Sequence, residues 1–223
     1  MSTFPAELRE LIWRANCDLP DAGLVVGTSG NVSGRDPVTG LIAIKPSGVS
    51  FTELRPEHLV VIDDSARVVE GDLKPSVDTM SHCLVYRERP DVNGVVHTHS
   101  RYATAFAIRG ESVPVLTTTQ ASLFGGPIPC SDYAVIGEEE VGREIVRHVG
   151  DGSAVLLRSH GVFTIGPTVT KALRAATYTE ECAEHAHLAL QLGPVDPLTP
   201  EVVLASRDWY LSDYGQRPIG QGA

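Results

Sequence analysis

Four side chains in this sequence have the chemistry to hold a divalent cation: Asp78, His97, His99 and His160. His97 and His99 flank one threonine at the end of an apolar run, and on a strand, where side chains alternate, they point to the same side. Two imidazoles so spaced suit adjacent positions on one ion, although alternating histidines also occur as a solvated strand face. His160 follows a second apolar run and precedes a glycine, and Asp78 stands at the expected start of a helix in KPSVDTMSH. Three imidazoles and a carboxylate make a tetrahedral set for zinc, with manganese or cobalt as alternatives; an exchanged ligand or a fifth position would admit substrate oxygens. Spacing alone does not make them converge. His82, four residues after Asp78, shares its helical face and is either a hydrogen-bond partner of that carboxylate or a neighbour with no part in the site.

A second group of residues suits an anion. Between Gly23 and Gly40 the chain is dense in Gly, Ser, Thr and Asn, which permit tight turns and expose backbone amides. Gly30 with Asn31, Ser47 with Gly48, and Ser76 form three small-polar turns whose amides and hydroxyls can wrap a phosphate, and Lys45 can add a cation. Each also reads as a plain turn.

Around these residues the hydrophobic pattern alternates between two periods. Phe4, Leu8, Leu11, Ile12 and Ala15 recur at helical spacing, giving an opening helix that ends near Asp18. Strands are expected at 41–44, 59–62, 95–97, 113–117, 154–157 and 162–165, and helices at 77–88, 101–108, 138–148 and 169–192. A loop from Pro194 to Pro200 precedes a last helix, and the tail after Tyr210 reads as loosely packed. The alternation predicts a layered α/β protein, folded as a single domain over residues 1–223.

Composition narrows the function classes. A formal charge of -10 argues against a nucleic-acid partner, though not against a small anion held by local donors. The 4 cysteines are far apart, with no Cys-x-x-Cys pair, and read as reduced core residues. No apolar stretch is long enough to span a membrane and no leader pattern opens the chain, so a cytoplasmic location is expected.

Six segments in order, SGNVSG at 29–34, IKPSGVS at 44–50, KPSVDTMSH at 74–82, GVVHTHSRYATAFA at 94–107, RSHGVF at 158–163 and YGQ at 214–216, resemble the class II aldolase and adducin family. The likeness is nearest to its L-ribulose-5-phosphate 4-epimerase branch and runs over almost the whole chain. It implies a three-layer α/β/α sandwich around a central, largely antiparallel sheet, and a metal held by Asp78, His97, His99 and His160. It further implies a phosphate site at Gly30, Asn31, Lys45, Ser47, Gly48 and Ser76. Val77 stands where the family usually has a second serine, leaving only its backbone amide to donate.

The implied chemistry is retro-aldol cleavage of a small phosphorylated keto sugar, with a Lewis acid stabilising the enolate left by the broken carbon-carbon bond. An epimerase keeps the aldehyde, turns it and rejoins it; an aldolase releases it. The epimerase branch uses an Asp and a Tyr as its acid/base pair. Tyr214 matches the tyrosine, but the expected His-Ala-Asp is here Gln120, Ala121 and Ser122, and a serine cannot serve as a carboxylate base. Three explanations account for Ser122: Asp132 or another acid substitutes, the enzyme is an aldolase that needs only the metal and Tyr214, or the substrate differs. Asp rather than Glu at position 78 puts epimerase ahead of aldolase as the expected activity. A keto-acid phosphate decarboxylase and a non-enzymatic adducin-like module complete the family's options. The resemblance also implies a homotetramer with active sites at subunit boundaries and Tyr214 supplied by the neighbouring chain.

Overall fold

A computed structural model describes residues 4–214. Seven strands form one sheet in the order β4-β3-β2-β1-β5-β7-β6, in which every neighbouring pair is antiparallel. The strands are β1 (Asn31–Arg35), β2 (Ile42–Ile44), β3 (Val60–Ile62), β4 (Val68–Glu70), β5 (Gly94–Thr98), β6 (Ala154–Leu157) and β7 (Gly161–Gly166). Helices are α1 (Ala6–Asp21), α2 (Thr79–Glu88), α3 (Arg101–Arg109), α4 (Thr118–Phe124), α5 (Glu140–Val149), α6 (Val169–Gln191) and α7 (Pro200–Asp213).

Strand alternation sorts the core into two faces. Ile42, Ile44, Val60, Ile62, Val95, Phe163 and Ile165 pack with α2 and α5 on one side. Val32, Ala43, Val61 and Val96 pack with α1 and α6 on the other, and Leu156 and Val162 extend that side beneath α3. The expected α/β/α sandwich with an antiparallel centre is therefore the observed fold. Gly34 and Gly94, paired across β1 and β5, are what let α6 approach: a Cβ at Gly94 would lie 2.6 Å from the Val169 backbone. On the same side Asn16 of α1, fully buried, donates to Val32 O and accepts from Val32 N, tying the first helix to β1.

Local differences from the sequence expectation have identifiable causes. The stretch 113–117 is no strand: Val113 makes an isolated bridge to Ile128, and Thr117 caps α4, its Oγ1 accepting from the Gln120 amide at 3.2 Å. Capping outweighs β-branched propensity there. Helix α2 begins at Thr79, with Ser76 and Asp78 in the turn before it, and α1 continues past Asp18 to Asp21. The tail expected to be loose is helical as far as Asp213, on an α7 with no fully buried residue. All four cysteines are free, Cys83 and Cys182 among the buried side chains. Among the described residues no helix is long and apolar enough to cross a membrane.

Candidate metal centre and phosphate cradle

The three histidines meet at one end of the sheet. His97 is in β5 and His99 one residue beyond it, and their Nε2 atoms lie 3.0 Å apart. His160 belongs to the short connection between β6 and β7, which returns it beside them; its ring centroid is 4.8 Å from that of His97 and 5.2 Å from that of His99. One ligand atom from each falls within 4.8 Å of the others. The residue before His160, Ser159, holds a left-handed φ of 59°, unusual for a side chain, and its amide is anchored to Ala107 O at 3.0 Å.

His97 is fixed in one tautomer. Its Nδ1 lies 3.0 Å from Val162 O, which can only accept, so Nδ1 carries the proton and Nε2 presents a lone pair. Burial, then the neighbouring His97, pushes His99 down to about 4; burial, His97 and His99 do the same for His160. Both imidazoles are thus neutral donors at neutral pH. Among the described residues the buried Nδ1 of His160 has no hydrogen-bond partner.

Asp78 lines the same cavity, of about 350 Å³, but lies outside the tight histidine triplet. Its Oδ2 accepts from Asn31 Nδ2 at 2.8 Å and from Ser76 Oγ at 3.3 Å. Burial pushes this carboxyl upward, but the nearby His97 and His82 and the Asn31 bond outweigh it and hold it below the usual range. Neutral imidazoles, one with its lone pair fixed and one with a buried unpartnered nitrogen, beside an anionic carboxylate fit a divalent ion of the zinc type.

The remaining wall of the cavity carries every residue of the expected phosphate cradle: Gly30, Asn31, Lys45, Ser47, Gly48, Ser76 and Val77. The turns at 45–48 and 74–76 are bound to each other through Ser47 N to Lys74 O, 2.9 Å, and Ser76 N to Lys45 O, 3.2 Å. Gly30 is required sterically, since a Cβ there would sit 2.5 Å from Val25 and 2.9 Å from the His97 carbonyl. Lys45 is 2% exposed; among the described residues its Nζ reaches only the carbonyls of Thr28 and Pro46, 3.3 and 3.4 Å away, and rests over the Phe51 ring. Burial depresses its pKa, and among the described residues no carboxylate pairs with it. A buried ammonium of this kind favours an arriving anion.

A family model for the class II aldolase and adducin N-terminal domain matches residues 10–187. The chain belongs to this family. Among solved structures it is similar to an L-fuculose 1-phosphate aldolase at 27% identity, covering 95% of this chain and 98% of that one with a TM-score of 0.88. The l-fuculose-1-phosphate aldolase of Thermus thermophilus is 28% identical, with 86% and 100% covered and a TM-score of 0.73. YgbL from Klebsiella pneumoniae is 28% identical, with 90% and 98% covered and a TM-score of 0.78.

The two expected acid/base positions of this class II aldolase family member lie elsewhere. Ser122 and Tyr214 line a separate cavity of about 720 Å³ among α4, α6 and α7. Ser122 Oγ donates to Ser206 O at 3.2 Å, which makes it a tie between α4 and α7. Tyr214 is 59% exposed and stacks on Tyr210. Gly215 and Gln216, the rest of the Tyr-Gly-Gln motif, lie outside the described residues. Asp132 does not line the histidine cavity; its amide bonds to Glu144. The sequence reading missed Ile136, whose half-exposed side chain also lines the cavity, and the buried pair Ser33 and Tyr86. Only the spacings Asn31 to Ser33 and His82 to Tyr86 could have signalled that pair.

Proposed function

We propose that this protein is a divalent-metal-dependent aldolase that cleaves a small phosphorylated keto sugar by retro-aldol chemistry. The observation that carries the proposal is the sharing of one cavity by His97, His99, His160 and Asp78 with the buried, unneutralised Lys45 and its small-polar turns. The four donors would hold the ion, with zinc first and manganese or cobalt as alternatives. Such an ion supplies Lewis-acid stabilisation to the oxyanion that develops as the carbon-carbon bond breaks.

The protein's own groups do the rest. Lys45, with Gly30, Asn31, Ser47, Gly48, Ser76 and the Val77 amide, binds the phosphate and fixes the carbon chain against the donors, supplying orientation before chemistry. Tyr214 carries a phenol suited to proton exchange with the substrate. Because Tyr214 lies apart from the histidine cavity of its own chain, we assign it to the site of a neighbouring subunit in a homotetramer. Release of the aldehyde is the favoured outcome because a hydroxyl, at Ser122, stands where the epimerase branch has its carboxylate. Epimerisation of L-ribulose 5-phosphate is the second reading, favoured by Asp at position 78 and by the Tyr-Gly-Gln at 214–216.

The test is to incubate the zinc-loaded protein separately with L-fuculose 1-phosphate and L-ribulose 5-phosphate. Chelator-sensitive release of dihydroxyacetone phosphate and lactaldehyde from the first supports the aldolase. Conversion of the second to D-xylulose 5-phosphate without free fragments moves the assignment to epimerase. A protein that binds no divalent metal under any condition sinks both. Ser122→Ala is expected to leave cleavage within a few-fold of wild type; a hundredfold loss would give that hydroxyl a catalytic role.

A further inference from the structure

Asn31 and Ser76 belong to the cavity wall assigned to the anion, yet their side-chain protons are turned toward the metal side. Asn31 Nδ2 donates to Asp78 Oδ2 at 2.8 Å and to Ser76 Oγ at 3.0 Å, which uses both amide hydrogens. Ser76 Oγ has one proton and two lone pairs. It donates to Asp78 Oδ2 at 3.3 Å and accepts from Asn31 and from the Asp78 amide, so its capacity is filled. The Asn31 amide cannot be turned over, because its oxygen would then face the carboxylate; that oxygen is buried and has no partner among the described residues. Asn31 is 2% exposed and Asp78 6%, so solvent does little to screen this contact. The adjacent Val77, exposed at the cradle, has no hydroxyl to offer in place of theirs.

Resting on the metal and phosphate readings above, we propose that Asn31 and Ser76 are shared donors that make anion binding in the cradle depend on a cation at Asp78. Without a cation these donors stabilise the buried carboxylate. A phosphate that drew on them would strip Asp78 of two charge-assisted bonds and bring a second anion beside it, and both effects oppose binding. A divalent ion reverses the balance: it neutralises Asp78 itself, and the amide and hydroxyl protons can turn to the phosphate. The dependence is reciprocal, so a bound anion tightens the hold on the ion by the same factor. Ser47 is the contrast. It lines the same cavity and its amide goes to Lys74 O, but among the described residues no hydrogen bond joins it to Asp78. Its hydroxyl serves an anion alike with or without the ion. The order of addition is therefore metal first, phosphorylated substrate second.

Sulfate, a tetrahedral dianion whose zinc salt stays soluble, is the probe. Its dissociation constant, taken from the rise of the thermal midpoint with sulfate concentration, should be about 5- to 150-fold lower in zinc-loaded than in metal-free protein. Plain attraction between ion and anion would also give such a factor, so the decisive comparison is between variants. Ser76→Ala should cut the factor several-fold, whereas Ser47→Ala should weaken sulfate in both states and keep the factor. Circular dichroism reports whether each variant folds. Should Ser76→Ala not fold, wild type carrying nitrogen-15 asparagine decides: the Asn31 side-chain amide should shift when sulfate meets zinc-loaded protein and hold its position when the same concentration meets metal-free protein. A shift in both states, or in neither, overturns the proposal. Equal sulfate affinity with and without zinc, or an unchanged factor in folded Ser76→Ala, sinks this inference while the metal and anion readings stand. A protein that binds no zinc, or no sulfate in either state, sinks the corresponding reading and this inference with it.

Discussion

Gly161 offers a direct way to strain the histidine cluster without substituting any of the proposed metal donors. It opens β7 immediately after His160, and a Cβ built there lies 2.5 Å from the Thr98 carbonyl oxygen, 2.8 Å from His99 Cδ2 and 3.4 Å from His97 Cε1. The first contact is with backbone inside the β5–β7 ladder, where Thr98 pairs with Val162, so the collision cannot be relieved by turning a side chain. Gly161→Ala should therefore cost about 1–3 kcal/mol, the usual range for overpacking a well-filled site. For a chain of this size that corresponds to roughly 2–12 °C in Tm. The strain falls on the segment carrying His97 and His99, so metal affinity should fall more than stability alone explains. Thermal unfolding with and without zinc, alongside isothermal titration of zinc, checks both parts. Gly126→Ala is the control, because its Cβ would meet nothing within 4 Å and its φ is not left-handed. Wild-type Tm and wild-type zinc affinity in Gly161→Ala would refute the packing argument.

Lys45→Met removes a buried charge at nearly constant length; the thermal midpoint should hold or rise, while inorganic phosphate should no longer raise it, and undiminished phosphate protection would remove Lys45 from the anion site. Metal-free protein should lose stability as pH falls from the ordinary histidine value of 6.5 toward about 4. Across that window the unfolded chain binds protons at His99 and His160 that the folded chain does not, so stability rises with pH there; a urea midpoint unchanged between pH 7 and pH 5 would contradict it.

That His97 and His99 face the same way was legible because a His-x-His at a strand end leaves little geometric freedom once the run ending at Thr98 is a strand. A layered α/β protein was legible from the alternation of apolar periods, and the antiparallel sandwich from the family resemblance. β1 was not, since Asn31, Ser33 and Gly34 are residues that elsewhere make turns, and its strand character rests on polar side chains buried against α2 rather than on apolar alternation. The relation of Ser122 and Tyr214 to the histidines was also hidden, because it depends on how α7 crosses α4, which no local pattern encodes. β4 escaped because Val68 and Val69 are exposed on a short edge strand.

The proposed donors come from three places along the chain, the approach to α2, the end of β5 and the β6–β7 connection. An ion held by all three is a reversible cross-link between segments that are remote in sequence. Such a link favours only the folded chain, contributing about 4 kcal/mol at a free metal concentration a thousand times Kd and nothing when the metal is withdrawn. The lifetime of this protein against unfolding and proteolysis would then follow the supply of metal around it, so that chains without an ion are cleared before those able to turn over.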